Sequence, residues 1–178
     1  MQEKQIHLEK VTYENVGKIV KLHVSEEQKN YVASNDWSLI HAYLSLAEGT
    51  PVYPFGIYCG ETLVGFIMIS YDNDWTGYER EAWLNSEDYA FYKDKPYYYI
   101  WRFMIDQQYQ RQGYGREAMK RAIEFIRTFP CGEAEYCVLS YEPENEVAKS
   151  LYASMGFAEL NEPGYYEKDD EISAVLKL

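Results

Sequence analysis

A chain of 178 residues with 47% hydrophobic and 17% aromatic content is long enough for one domain, spanning 1–178, with a sizeable core, which excludes an extended or disordered chain. Its net charge of -12 repels nucleic acid and anionic membranes and attracts a cationic small molecule or basic peptide, beside the ordinary benefit of an acidic surface for solubility. Cys59, Cys131 and Cys137 lack C-x-x-C spacing, His7, His23 and His41 lack a metal-ligating pattern, and "MQEKQIHLEK" lacks the apolar stretch of a signal peptide, so the sequence reads as a metal-free protein of the reducing cytoplasm.

Alternation in "IHLEKV" predicts a first strand, and Val16, Ile19, Val20 and Val24 follow at helical spacing behind a Thr12 cap. "SNDWSLIHAYLSLA" predicts a second helix that begins at Ser34, Asn35 or Asp36 and carries Trp37, Ile40, Leu44 and Ala47 on one face. "VYPFGIYCG" and "ETLVGFIMISY" read as a hairpin around Gly60 and Glu61, and "YYYIWRFMI" reads as a third strand. Between the second and third strands of this group, segment 72–96 is a long connection rich in acids and aromatics. Such a connection serves as a lid over a binding site or forms an extra surface helix at a dimer contact. Downstream, "REAMKRAIEFIRTF" predicts a helix with Met119, Ala122, Ile123 and Ile126 inward, ended by Pro130 and Gly132. "AEYCVLSYE" then reads as a strand, "NEVAKSLYASMGF" as a helix closed by Gly156, and "YYEKDDEISAVLKL" as a final strand or hairpin.

The loop between the third strand and the next helix has two spellings. Gly113, Gly115 and Ala118 give G-x-G-x-x-A, a dinucleotide fingerprint; Gln110, Gly113 and Gly115 give Q-x-x-G-x-G, the pyrophosphate loop of acyl-CoA-dependent acetyltransferases. Both hold a pyrophosphate by the same physics, since successive backbone N–H groups and the positive end of a helix converge there. The surroundings separate them. A dinucleotide fold places its fingerprint in the first βα unit and follows it with several more, whereas here the loop lies past the middle of the chain and follows hairpin-like strands. A P-loop is excluded because no G-K-[ST] follows.

The order of elements, with Q-R-Q-G-Y-G at 110–115 and Asn145-x-x-Ala148-x-x-Leu151-Tyr152-x-x-x-Gly156-Phe157 after it, resembles the GCN5-related N-acetyltransferases over nearly the whole chain. Within that family, "LHVSEEQKNYVAS" and "WRFMIDQQYQRQGYG" are similar to the bacterial spermine/spermidine acetyltransferases. The resemblance implies an α/β fold of the α+β type, with a mixed central sheet, flanking helices and a splayed strand pair that binds acyl-CoA. It also implies acetyl-CoA as co-substrate, transfer to a primary amine of a small cationic acceptor such as a polyamine, and a homodimer. An aminoglycoside, an amino acid or a protein amine is an alternative acceptor, and a non-catalytic acyl-CoA sensor an alternative role.

Carried onto this sequence, the resemblance assigns the pyrophosphate to the loop around Gln110, Arg111, Gln112, Gly113, Tyr114, Gly115 and Arg116. It assigns the pantetheine arm to backbone groups of Phe103 and Ile105 and to Asn145, which also suits a helix N-cap. Tyr152 becomes the acid for the departing sulfur, because a phenol near ~10 lies close to a thiol near ~8.5. The base is open. The strand positions where related enzymes carry a carboxylate hold Trp101 and Arg102, which leaves a water relay to Glu142, Asp72 or Asp74, or desolvation of the amine. Glu26, Glu27 and the acids and aromatics of 72–96 are the substrate-binding candidates, as cation partners along a polyamine.

Overall fold

In "TLVGFIMISY" nearly every residue is apolar or small, which suits a strand covered on both faces. A computed structural model describes residues 5–71, 95–160 and 171–178 and places this strand inside the sheet, with a neighbouring strand on each edge. All but two residues of segment 72–96, Asp72 and Asp74 included, therefore lie outside the described residues.

The chain order is β1 (Ile6–Lys10), α1 (Val16–Ile19), a 3₁₀ turn (Glu26–Gln28), α2 (Asn35–Ala47), β2 (Val52–Cys59), β3 (Thr62–Tyr71), β4 (Tyr97–Ile105), a second 3₁₀ turn (Gln107–Tyr109), α3 (Tyr114–Ile126), β5 (Tyr136–Tyr141), α4 (Glu146–Ser154), β6 (Ala158–Glu159) and β7 (Ile172–Lys177). The sheet runs β1-β2-β3-β4-β5-β7-β6, antiparallel throughout except for the parallel β4–β5 pair. The mixed sheet and the hairpin at Gly60 match the expectation from sequence.

One face of the sheet carries α3 and α4. Ile57, Ile67, Ile69, Tyr98 and Ile100 pack there against Ala118, Met119, Ala122, Ile123 and Ile126, the inward stripe predicted for α3 together with Ala118. The opposite face carries α1 and α2, with Ile19 and Ala42 over Phe66, Met68 and Met104. Among the described residues no helix is long and apolar enough to cross a membrane.

Two helices differ from the reading of their sequence. The α2 stripe lies outside: Trp37 is 52%, Ile40 47% and Leu44 51% exposed, whereas Asn35, Ser38 and Ala42 face the sheet. Short side chains let the helix backbone sit close to β2, and Asn35 Nδ2 donates to Ile19 O at 2.9 Å, so a buried polar contact replaces the expected apolar one. The first helix is only one turn, and Val20 and Val24 fall beyond it. Val16, Gly17 and Ile19 are weak helix formers, and the chain is then drawn to the end of β4 by Asp106, whose Oδ2 accepts from the His23 N–H at 3.0 Å. Asn15, not Thr12, is the N-cap residue.

Candidate active site

The site begins as a defect in the sheet. β4 and β5 pair in parallel from Tyr97↔Tyr136 to Ile100↔Leu139 and no further, while β4 continues to Ile105 and β5 to Tyr141. On its other edge β4 holds one extra residue: the register passes from Ile69↔Ile100 to Met68↔Arg102, leaving Trp101 as a bulge. The Asp106 N–H donates to Val64 O at 2.9 Å, so backbone groups alternate along the strand and those of Phe103 and Ile105 point to the open side. A cavity of about 570 Å³ fills the opening, walled by β4, β5, α4 and the connection between α1 and α2.

The glycine-rich loop closes one end of that cavity. Gln110 Nε2 donates to Ile105 O at 2.9 Å and to Gln28 Oε1 at 2.8 Å, tying the loop to the strand and to the first 3₁₀ turn. Asp106 is 2% exposed and accepts from the N–H groups of Gln108 and His23, 3.0 Å each, fixing the approach to the loop. Arg111 at φ 59° and Gly113 at φ 82° turn the chain through the left-handed region directly into α3. The first N–H groups of a helix have no partner within it, and an anion suits that end. Arg116 reaches across to Ser154 Oγ at 2.9 Å, and Tyr114 packs edge-on against Tyr109.

Of the residues named from sequence, Phe103, Ile105, Gln110, Arg111, Gly115, Asn145, Tyr152 and Glu27 line the cavity. Gln112, Gly113, Tyr114 and Arg116 shape the loop from outside the lining. Glu26 pairs with Lys29 on the surface, and Glu142 lies outside the lining, its backbone carbonyl accepting from the Asn145 N–H at 2.9 Å. Asn145 caps α4, Oδ1 accepting from the Ala148 N–H at 3.1 Å.

Tyr152 stands in the wall from α4, buried, with its ring against Tyr141 and Phe157. Among the described residues no group hydrogen-bonds its hydroxyl. Burial pushes the phenol well above the ordinary tyrosine range, with the nearby Tyr99 and Glu171 adding to the shift, so it stays protonated. The phenol therefore lies further from a free thiol's range than an exposed tyrosine does.

Three residues passed over in the sequence meet on the far side of the opening. Tyr99 of β4 donates to Ser140 Oγ of β5 at 2.8 Å, and Ser140 donates to Glu171 Oε2, just before β7. Arg102 stands beside them; burial lowers its guanidinium's pKa while Tyr99 and Glu171 raise it. Its Nε is buried without a hydrogen bond among the described residues. The ring of His41 sits 4.8 Å from Trp37 and 5.8 Å from Trp101, and burial with Arg102 nearby holds its imidazole below the usual range. Among the described residues no group of three histidine, cysteine or acidic side chains is placed to hold a metal ion.

A parallel strand pair that parts beside a glycine-rich helix start, with outward-turned backbone groups on one lip, defines an acyl-CoA-dependent acyltransferase. The chain matches the family model of the Acetyltransferase (GNAT) family over residues 16–157 and belongs to that family; it is an acetyl-CoA-dependent N-acetyltransferase. It is 30% identical over 157 residues to the spermine/spermidine N(1)-acetyltransferase of Bacillus subtilis (strain 168), covering 85% of this chain and 87% of the relative. A probable spermine N(1)-acetyltransferase of Bacillus subtilis subsp. natto (strain BEST195) matches at the same identity and coverage. In three dimensions it is similar to the PaiA N-acetyltransferase of Thermoplasma acidophilum in complex with coenzyme A, with TM-score 0.63, 14% identity, and 98% of this chain and 99% of that one covered. Ard1 of Thermoplasma volcanium superposes with TM-score 0.61 at 14% identity over 97% of both chains.

Proposed function

We propose that this enzyme acetylates a primary amine of a polyamine, with Tyr152 as the acid. The observation that carries the acceptor class is the lining, where the carboxylates of Glu27 and Glu171 share one cavity with the aromatic faces of Tyr31 and Trp101. Cations spaced along an apolar chain are met by that combination through ion pairing and cation–π contact. The Bacillus relatives, named for spermine and spermidine, support the same chemistry.

Acetyl-CoA supplies the activated acetyl thioester. The loop N–H groups of 111–116 hold its pyrophosphate, Arg111 and Arg116 add charge there, and outward backbone groups of Phe103 with Asn145 Nδ2 hold the pantetheine arm. Ile105 O is already taken by Gln110, so on that residue the N–H does the pairing. Tyr152 then donates a hydrogen bond and finally its proton to the departing sulfur. Its raised pKa is compatible with this role because the same desolvation raises the pKa of the thiol it serves.

Arg102 favours a second reading, in which the acceptor carries a carboxylate of its own that meets the guanidinium. Release of CoA thiol from acetyl-CoA, followed with spermine, spermidine, an aminoglycoside, free amino acids and a basic peptide as separate acceptors, decides between the two. Fastest turnover on spermine or spermidine is the result expected. Preference for an amino acid, with polyamines inert, removes the polyamine reading in favour of the second.

A further inference from the structure

The amine must lose a proton before it attacks, since at neutral pH a group of pKa near ~10.4 is almost wholly charged. β4 offers Arg102 where a carboxylate base would be sought, and Glu142 stands outside the cavity lining. We infer that Glu171 is the general base of this enzyme, with Ser140 and Tyr99 as its positioning residues. The inference rests on the acetyltransferase activity and holds for either class of acceptor.

The geometry is specific. Glu171 lines the cavity at the start of β7, facing the opening between β4 and β5 from the side opposite the glycine-rich loop's helix. The β5–β7 register sets Ser140 opposite Ser173 and Tyr141 opposite Ile172, which brings the Ser140 hydroxyl to the carboxylate of Glu171. Tyr99, from β4, completes a directed chain: its hydroxyl donates to Ser140, and Ser140 donates to Oε2. Three strands thus aim one carboxylate, and the polarity of the chain keeps it an acceptor.

The groups around it fit the role. Arg102 and Tyr99 lie within electrostatic reach from β4, Ser140 from β5 and Tyr152 from α4. The neutral phenol of Tyr152 lines the same cavity as this carboxylate without competing for a proton. Base and acid therefore stand in the walls of one cavity: Glu171 before β7 and Tyr152 on α4.

The proton balance closes. Glu171 takes one proton from the ammonium, directly or through one water, and the free amine nitrogen bonds to the acetyl carbon. The C–S bond breaks, the sulfur leaves with the proton of Tyr152, and the second proton shed by the nitrogen restores the phenol. Glu171 returns its proton to solvent.

The test is Glu171→Gln, which keeps the shape and removes the base. Rates are measured with whichever acceptor of the panel turns over fastest, so failure of the polyamine reading is seen separately as inert polyamines. At neutral pH kcat/KM is expected to fall by about 10²–10³-fold, in the range of a lost general base. The wild-type rate is expected to change little with pH around neutrality, whereas the variant climbs about tenfold per pH unit as the free amine fraction grows. A merely structural role gives the same loss at every pH. That result, or a variant close to the wild-type rate, overturns the inference. If Glu171→Gln does not fold, judged by loss of the thermal shift given by acetyl-CoA, Ser140→Ala replaces it. Ser140→Ala is expected to show a smaller loss that narrows with rising pH, and a profile parallel to wild type overturns the inference equally. Absence of turnover with every amine overturns it together with the enzymatic reading.

Discussion

Gly115→Ala separates what the loop does for the fold from what it does for the ligand. Gly115 is the second residue of α3, with ordinary helical backbone, and an added Cβ would lie 3.7 Å from Ile105 Cγ1, 3.7 Å from Leu151 Cδ2 and 3.8 Å from Phe103 Cζ. Those are ordinary contacts, so the methyl fits, and exchanging glycine for alanine in a helix is worth about 0.5–1 kcal/mol in favour of folding. For a chain of this size that raises Tm by roughly 1–4 °C. The same methyl projects between Phe103, Ile105 and Leu151, all of which line the cavity, where the backbone must let the ligand approach. Acetyl-CoA affinity is therefore expected to fall while stability rises. Thermal melts with and without acetyl-CoA read both quantities in one experiment, because the ligand-induced shift scales with affinity. An unchanged ligand shift in a stabilised variant would refute the placement of acetyl-CoA along this helix start.

Gly113→Ala works in the opposite sense: nothing lies within 4 Å of the added Cβ, but φ of +82° costs a side chain about 1–2 kcal/mol, and Tm falls in a melt without ligand. Asp106→Ala strands the His23 and Gln108 N–H groups and is expected to cost about 2–4 kcal/mol in urea unfolding, with Asp106→Asn losing less. Asn145→Asp keeps the oxygen that caps α4 and removes the Nδ2 donor. Its stability should stay near wild type while its acetyl-CoA affinity drops; Asn145→Ala loses the cap as well, about 0.5–2 kcal/mol. Because burial raises the Tyr152 pKa, the acid stays protonated as pH climbs through the range where a free tyrosine ionises. A kcat profile should then show no loss from Tyr152 up to about pH 10, and a fall with its midpoint below that, absent from Tyr152→Phe, would contradict it.

The parts of this site that the sequence disclosed are those written in local backbone geometry. Gly113 announces a left-handed turn, Asn145 a helix cap and Gly156 a helix end, and each does so through its own φ or its neighbours' N–H groups. The acceptor side depends on register instead. Tyr99, Ser140 and Glu171 share no periodicity, and only the parallel β4–β5 pairing and the antiparallel β5–β7 pairing bring them together. Glu171 closes the acidic run "EKDDE", in which sequence gives no reason to prefer one carboxylate. The face that Arg102 occupies was hidden by the bulge at Trp101. Simple alternation from Ile100 would set Arg102 on the α3 face, but the extra residue moves it opposite Met68, on the α2 side. In α2 the exposed stripe of Trp37, Ile40 and Leu44 shows that periodicity identified the helix without identifying its buried face, because close backbone packing selected Ser38 and Ala42.

Tyr152→Phe isolates the proposed acid, since it deletes one oxygen from a buried ring and leaves the packing with Tyr141 and Phe157 in place. With a turned-over amine acceptor, kcat is expected to fall by about 10²–10⁴-fold while acetyl-CoA binding stays as it was. A variant that binds acetyl-CoA normally and turns over at the wild-type rate would show that the departing sulfur takes its proton from a group other than Tyr152.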